Sequence, residues 1–238
     1  MALCVQIDAK KSINIIEQGQ SELDTLGTES LSAQNETFIQ AIQHEMGADH
    51  IQLTIRKMND DAIALVGREN AFVVGGHNFL FVSEEWFNEL TIAERRFLIG
   101  HELSHLLMEH SQKKVVVDQA MSFFINYMWK LIGNDMQKGT WKHYGIEAAK
   151  KVGFGTIKLL LLSMHSRSCE READEVSVQK LKSAAGGIAL FERMANSKDK
   201  DPQSGFITFI RRIVNCFASH PCHEERLACL RSIVEKKN

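Results

Sequence analysis

Residues 51–55 read Ile51-Gln52-Leu53-Thr54-Ile55, apolar and polar in alternation, the period of a strand with one buried face. Short apolar runs at 62–66, 71–74 and 79–82 also read as strands, and Gly75-Gly76 supplies a turn between the last two. Together they predict a small sheet between about residues 50 and 83. Residues 1–34 are polar and weakly patterned, and 35–46 have the spacing of a short helix. Beyond the sheet, apolar positions recur at helical spacing almost to the end. Thr91-Ile92-Ala93-Glu94 is a capping box, in which Thr91 covers a free backbone amide and Glu94 reaches back. It opens a helix running through Met108. Further helices are predicted over about 115–133, 145–164, 167–184, 187–196, 204–217 and 223–236, with a loop at 201–205. Trp86, Trp129, Trp141 and the Phe123-Phe124 pair sit at helical spacings and read as core.

The expected architecture is a single α+β domain, predominantly helical, with the small sheet packed beside the helix that Thr91 opens. The 238 residues, 44% hydrophobic and 24% charged, are ample for a buried core. The net charge of -2 is mixed along the chain, so nothing marks a nucleic-acid partner or a disordered acidic tail. No segment reaches the roughly 18 uncharged apolar residues that a spanning helix needs. Asp118 and Lys130 interrupt 115–133, and Lys158 interrupts 153–164. This predicts no transmembrane segment and leaves peripheral membrane contact open. The first residues lack a basic start followed by a long apolar run, which argues against a Sec signal peptide. Five cysteines, an odd number without a C-x-x-C, read as reduced thiols in a reducing compartment. The expected location is the cytoplasm, or outside it by a route that needs no Sec signal.

Chemistry concentrates in FLIGHELSHLLMEH, residues 97–110, where His101-Glu102-Leu103-Ser104-His105 matches H-E-x-x-H. Residues four apart on a helix share a face about one turn apart, so His101 and His105 can hold one metal ion from the same side. Glu102 is offset from His101 by about 100°, which places its carboxylate beside a water in an open coordination position. Zinc polarises a substrate carbonyl and lowers that water's pKa toward about 7. A neighbouring carboxylate can take the proton and pass it to the leaving amine. In a chain with 10 histidines the pattern arises in roughly 3% of shuffled versions. Its place within a capped helix, directly after Gly100, adds weight. The alternative is two half-exposed histidines on an amphipathic helix. His110 lies five after His105, about 140° around the helix from it, and is not expected on the same metal.

A catalytic zinc takes a third protein ligand. In Ser166-Arg167-Ser168-Cys169-Glu170-Arg171-Glu172-Ala173-Asp174, Glu170 and Asp174 are again four apart. Glu170 can bind the metal, and Asp174 can accept the N–H of His101 or His105 and fix that ring's tautomer. The alternative is a solvated helix face pairing Glu170, Glu172, Asp174 and Glu175 with Arg167 and Arg171. Cys169 reads as a small buried side chain. Cys216, His220, Cys222, His223 and Cys229 crowd together but fit no common zinc module.

The order of these motifs resembles that of the HtpX and CAAX-prenyl-protease type of zinc metalloendopeptidase, a branch of the gluzincins. Asn70-Ala71-Phe72, followed by Gly75-Gly76 and residues 79–82, is similar to the family's N-A-F segment and the strand beside its cleft. Residues 91–105 are similar to its zinc helix, with Glu94 seven before the first histidine. Ser166-Arg167 through Glu170 to Ala173-Asp174 is similar to its S-R-x-x-E-x-x-A-D signature. Ser219-His220-Pro221 with Arg226-Leu227 is similar to its late H-P-x-x-x-x-R-[IL] element. The four span residues 70–227, about two-thirds of the chain.

The resemblance implies a zincin-like metallopeptidase domain over 51–238, with residues 1–50 an N-terminal extension able to cover the cleft. It implies one catalytic Zn2+ held by His101, His105 and Glu170, with Glu102 as general base and acid and Asp174 as the orienting carboxylate. His220 would hydrogen-bond the tetrahedral intermediate, or else cap the last helix. Arg226 would be a partner for a site carboxylate or a helix anchor, the anchor being preferred. Asn70, Ala71 and Phe72 would bind substrate, and the segment from Phe72 to Phe81 would offer an edge strand along which an extended peptide pairs. Many relatives have membrane-spanning helices before the zinc helix and between it and the third ligand. Here charge interrupts both places, which favours a soluble minimal-domain type. The implied activity is hydrolysis of a protein or peptide. Its rivals are a zinc-stabilised binding protein without turnover, disfavoured by the intact Glu102, and a hydrolase of a non-peptide bond, disfavoured by the sheet-edge segment.

Overall fold

The computed structural model describes residues 23–74, 76–131, 141–198 and 223–235. The predicted helix over 204–217, the loop at 201–205 and Ser219-His220-Pro221 lie outside the described residues. Three strands, β1 (Thr54–Lys57), β2 (Ala71–Val74) and β3 (Phe79–Val82), form one sheet in the order β1-β3-β2. β3 is central, parallel to β1 and antiparallel to β2. β3 is therefore not an edge; β1 and β2 are the two edges, and β2 is the one that lines the cleft. Successive side chains of β3 point to opposite faces, and both faces are covered. Leu80 and Val82 join the main core, while Phe79 and Phe81 pack with Leu23, Met58 and Ala62.

The helices are α1 (Ala33–Glu45), α2 (Asp60–Val66), α3 (Glu84–Glu89), α4 (Ile92–Leu107), α5 (His110–Leu131), α6 (Trp141–Leu181), α7 (Ala185–Lys198) and α8 (His223–Glu235). The molecule is predominantly helical with a small sheet beside the H-E-x-x-H helix, as the pattern predicts. Residues 62–66, expected as a strand, are helical. The Asn59 side chain accepts the Ala62 N–H at 2.9 Å, Asp60 and Asp61 occupy the first turn, and Gly67 ends the helix at φ +95°. The two helices expected over 145–164 and 167–184 are one 41-residue helix, α6. No proline falls in it, and Gly153 and Gly155 stand in open space without breaking it. Ile39 and Ile42 of α1, expected within an N-terminal extension, pack into the same core as β3 and α4.

α4 runs through the middle of the core. Its cap is the capping box read from sequence: Thr91 Oγ1 accepts the Glu94 N–H at 3.3 Å, and Glu94 Oε2 accepts the Thr91 N–H at 2.7 Å. Phe97, Leu98, Ile99, Leu103 and Leu106 are buried, each stabilising the fold by about 1.5–3 kcal/mol relative to exposure. Two glycines set how closely α4 is approached. A Cβ at Gly100 would lie 2.6 Å from Leu181 Cδ1 and 2.7 Å from Ser177 Oγ, so its absence lets α6 lie close against the histidine-bearing turn. A Cβ at Gly186 would lie 2.0 Å from the Ala93 carbonyl oxygen, so α7 also packs on α4 through a glycine.

Trp86 is buried, as expected, but Phe123 and Phe124, also read as core, are 76% and 56% exposed. α5 packs chiefly on α6 and meets α4 near its start, so among the described residues its outer face has no layer above it. Among the described residues no helix is long and apolar enough to cross a membrane.

Candidate metal centre

His101 and His105 project from successive turns of α4, and Glu170 reaches them from α6, the helix that Gly100 admits. His101 and Glu170 are buried and His105 is nearly so. The Nε2 atoms of the two rings are 3.1 Å apart. Glu170 Oε2 is 3.4 Å from His101 Nε2, and Glu170 Oε1 is 3.5 Å from His105 Nε2. Ligand atoms about 2.0–2.1 Å from a tetrahedral zinc stand about 3.3–3.4 Å from one another. The three side chains therefore already hold the spacing of three corners of such a site, and they are the group that could hold a metal among the described residues.

Each histidine has a partner on its other nitrogen. His101 Nδ1 stands 2.9 Å from Asp174 Oδ1, so it carries the proton and leaves Nε2 to face Glu170. Asp174 is fully buried and also accepts two hydrogen bonds from Arg226, at 2.6 and 2.8 Å. Arg226 Nη1 lies 3.2 Å from Glu170 Oε2, and the guanidinium rests 4.4 Å above the Phe191 ring. Of the two readings of Arg226, the structure places it on the site carboxylates.

On the other side, His105 Nδ1 is 2.8 Å from His110 Nδ1, and His110 Nε2 is 3.1 Å from Glu172 Oε2. The proton on His105 Nδ1 thus has an acceptor, which in turn donates to a carboxylate. Sequence reasoning missed this pair because the 140° offset assumes one unbroken helix. The chain leaves α4 at Met108, and Glu109 adopts φ +53° before α5 begins. That break turns His110 back over His105. A non-glycine residue pressed into the left-handed region has no clear signature in one sequence.

Glu102 is buried beside these groups, and its Oε2 accepts the Val73 N–H of β2 at 3.0 Å. Burial and the neighbouring Glu170 charge push its pKa up to about 7, against the pull of His101, the Val73 N–H and Arg226. Burial and Arg226 disfavour a charged His101, but Asp174 and Glu170 outweigh them and its pKa rises to about 9. Burial, with His101 nearby, lowers that of His105 to about 3. Burial would raise the Asp174 carboxyl, yet His101 and Arg226 hold it below the usual range. With His101 neutral, as a metal ligand must be, Glu170 and Asp174 outweigh Arg226 in this buried space, an excess of negative charge that a divalent cation would offset.

The site opens into a cavity of about 820 Å³ lined by Asn70, Ala71, Phe72, Val73, Trp86 and Lys114, among others. The three residues expected to bind substrate thus reach the cleft. Ser83 N–H donates to the Asn70 carbonyl, so Asn70, Phe72 and Val74 exchange bonds with the β3 side. Ala71 and Val73 then direct their backbone groups outward, consistent with the Val73 bond to Glu102. Cys169 is buried beside the site, 3.7 Å from His165 Nε2, and burial pushes its thiol pKa up. His220 lies outside the described residues.

The sequence model of Peptidase family M48 matches residues 33–234. A curated "Protease HtpX" from Vibrio cholerae serotype O1 is 22% identical over 180 residues, covering 69% of this chain and 62% of that protein. A "Protease HtpX homolog" from Thiobacillus denitrificans is 23% identical over 205 residues, covering 76% of this chain and 70% of that protein. The chain thus spans somewhat less than two-thirds of the Vibrio relative. No solved structure matches it.

Proposed function

The chain belongs to peptidase family M48, and from that premise we propose that it is a zinc-dependent metalloendopeptidase. The observation that carries the reading is the spacing of His101 Nε2, His105 Nε2 and Glu170 at 3.1, 3.4 and 3.5 Å, with the Glu102 carboxylate alongside. Those three residues would hold the metal. Zinc there would polarise the scissile carbonyl and make a water acidic enough to lose a proton near neutral pH.

The chain's own residues do the rest. Glu102 takes the proton of the attacking water and returns it to the leaving nitrogen. The Val73 N–H fixes the carboxylate rotamer against the substrate-facing strand. Asp174 and the His110–Glu172 pair hold the two imidazoles with their Nε2 lone pairs facing the metal position. Arg226 anchors both Asp174 and Glu170, so the third ligand and the orienting carboxylate share one support. An extended peptide would add a strand to β2 through the outward backbone groups of Ala71 and the Val73 carbonyl, the Val73 N–H being held by Glu102, with Asn70 and Phe72 shaping the cleft. His220 would steady the oxyanion.

The test is a mass-spectrometric digest of a diverse peptide library by the zinc-loaded wild type and by Glu102→Gln. Cleavage by the wild type alone, with one zinc in both, supports the reading. Repeating the digest after removing residues 1–22 tests whether the N-terminal segment covers the cleft. No cleavage by the full or the trimmed chain, with zinc bound, would point instead to a zinc-stabilised binding protein.

A further inference from the structure

α5 and the first half of α6 pair with each other and carry apolar side chains on their outer surfaces. On α5, Val116, Phe123 and Tyr127 are exposed, at 64%, 76% and 53%. Their spacing of seven and four places them within about 40° around the helix axis, so they form one stripe. Lys113, three before Val116, and Lys130, three after Tyr127, continue the same face and are exposed. On α6, Val152 and Met164 are also exposed.

The near-neutral total charge hides a local imbalance. Residues 110–164 hold eight lysines and three acidic residues, a net of +5 in a chain whose total is -2. The remaining residues therefore carry -7. Of the three acids, Asp118 is already paired with Lys158 in the seam between the two helices, at 2.8 Å. Among the described residues the outer face thus joins aromatic and aliphatic side chains to exposed lysines, Lys113 and Lys130. That pairing is the composition of a helix lying in a lipid interface.

We propose that this helix pair docks on an anionic lipid bilayer, with the Val116–Phe123–Tyr127 stripe at the boundary between headgroups and acyl chains. Lysines near such a surface gain from its negative potential, while the apolar stripe leaves water. Docking is interfacial, because among the described residues no helix can span. A second copy of the chain fits this face less well: two symmetric faces of the same positive sign repel at contact.

The test is flotation of the full-length protein with vesicles of phosphatidylcholine alone or of phosphatidylcholine and phosphatidylglycerol, at low and high salt. Two variants accompany it, Phe123→Ser with Tyr127→Ser and Lys113→Glu with Lys130→Glu. All four positions are exposed and outside the metal centre, so zinc content serves as the folding control. The expected result is binding to the anionic vesicles only, weakened by salt and about tenfold weaker in each variant. Absence of flotation, or equal flotation with both lipids and all variants, would overturn the proposal. So would a concentration-dependent dimer without lipid that the variants abolish, since a second copy would then cover the face.

Discussion

Asp174→Asn tests the wiring of the metal centre more sharply than loss of a ligand would. The side chain is fully buried and receives Arg226 twice, at 2.6 and 2.8 Å, and His101 once, at 2.9 Å. Asparagine keeps the shape and one acceptor but removes the charge. Removing one partner of a buried ion pair costs about 3–5 kcal/mol. Here Glu170 at 3.2 Å retains part of Arg226's pairing, so we expect the lower end or somewhat less, about 2–3 kcal/mol, in the metal-free protein. For a chain of this size that is a fall in Tm of roughly 5–10 °C. Arg226 would then draw more strongly on Glu170, and His101 would lose the acceptor that fixes its tautomer. Zinc affinity should fall about 10–100-fold. The assays are thermal melts of the metal-free protein and competition for zinc against a chromophoric chelator. A melting point within a degree or so of wild type, with zinc affinity unchanged, would refute the reasoning.

Four further outcomes are expected. Glu102→Gln should keep zinc and lose turnover, read by metal content and the peptide digest. His110→Ala should weaken zinc about tenfold, and His110→Asn, whose side-chain oxygen can accept the His105 N–H, should recover most of the loss in the same competition assay; a purely structural role would show no such rescue. Glu94 is buried, which alone would raise its pKa, but hydrogen bonds from Arg193 and Thr91 hold it below the usual range. Its stabilisation relative to Glu94→Gln, about 1 kcal/mol after allowing for the exposed Arg193, should be full above the ordinary carboxylate pKa and vanish as pH falls through the lower folded value, read by urea melts. Gly186→Ala should destabilise the fold by about 1–3 kcal/mol, because the new Cβ meets the Ala93 carbonyl at 2.0 Å and α7 must move off α4; an unchanged urea midpoint would contradict that packing.

What was legible in the sequence was mostly local. The capping box at Thr91 and the four-residue spacing of His101 and His105 are set within one helix, and the structure shows both. Glu170 and Asp174 are 65 or more residues beyond His105 in sequence, so spacing alone left a solvated acidic face open; the contacts with His101 and Arg226 close that option. Residues 62–66 were ambiguous because a short apolar run carries no helical period, and the deciding signal was the Asn59 cap with two acids behind it. His110 comes over His105 only because the chain breaks at Met108 and Glu109, a break that residue spacing does not encode. Phe123 and Phe124 sit at the helical spacing of a core face, yet they are exposed, because spacing shows that positions share a face and not what covers it. Buried positions are usually apolar, but apolar positions are not always buried.

Peptidase chemistry in this chain depends on a zinc ion held by His101, His105 and Glu170, as proposed above. The most direct measurement is zinc content by elemental analysis, with zinc K-edge X-ray absorption on the loaded protein, for the wild type and for Glu170→Ala. One zinc per chain is expected, bound by two imidazoles and one carboxylate with the remaining position filled from solvent, and lost in Glu170→Ala. A wild type that takes up no zinc, or a Glu170→Ala protein that keeps wild-type affinity and an unchanged absorption spectrum, would contradict it.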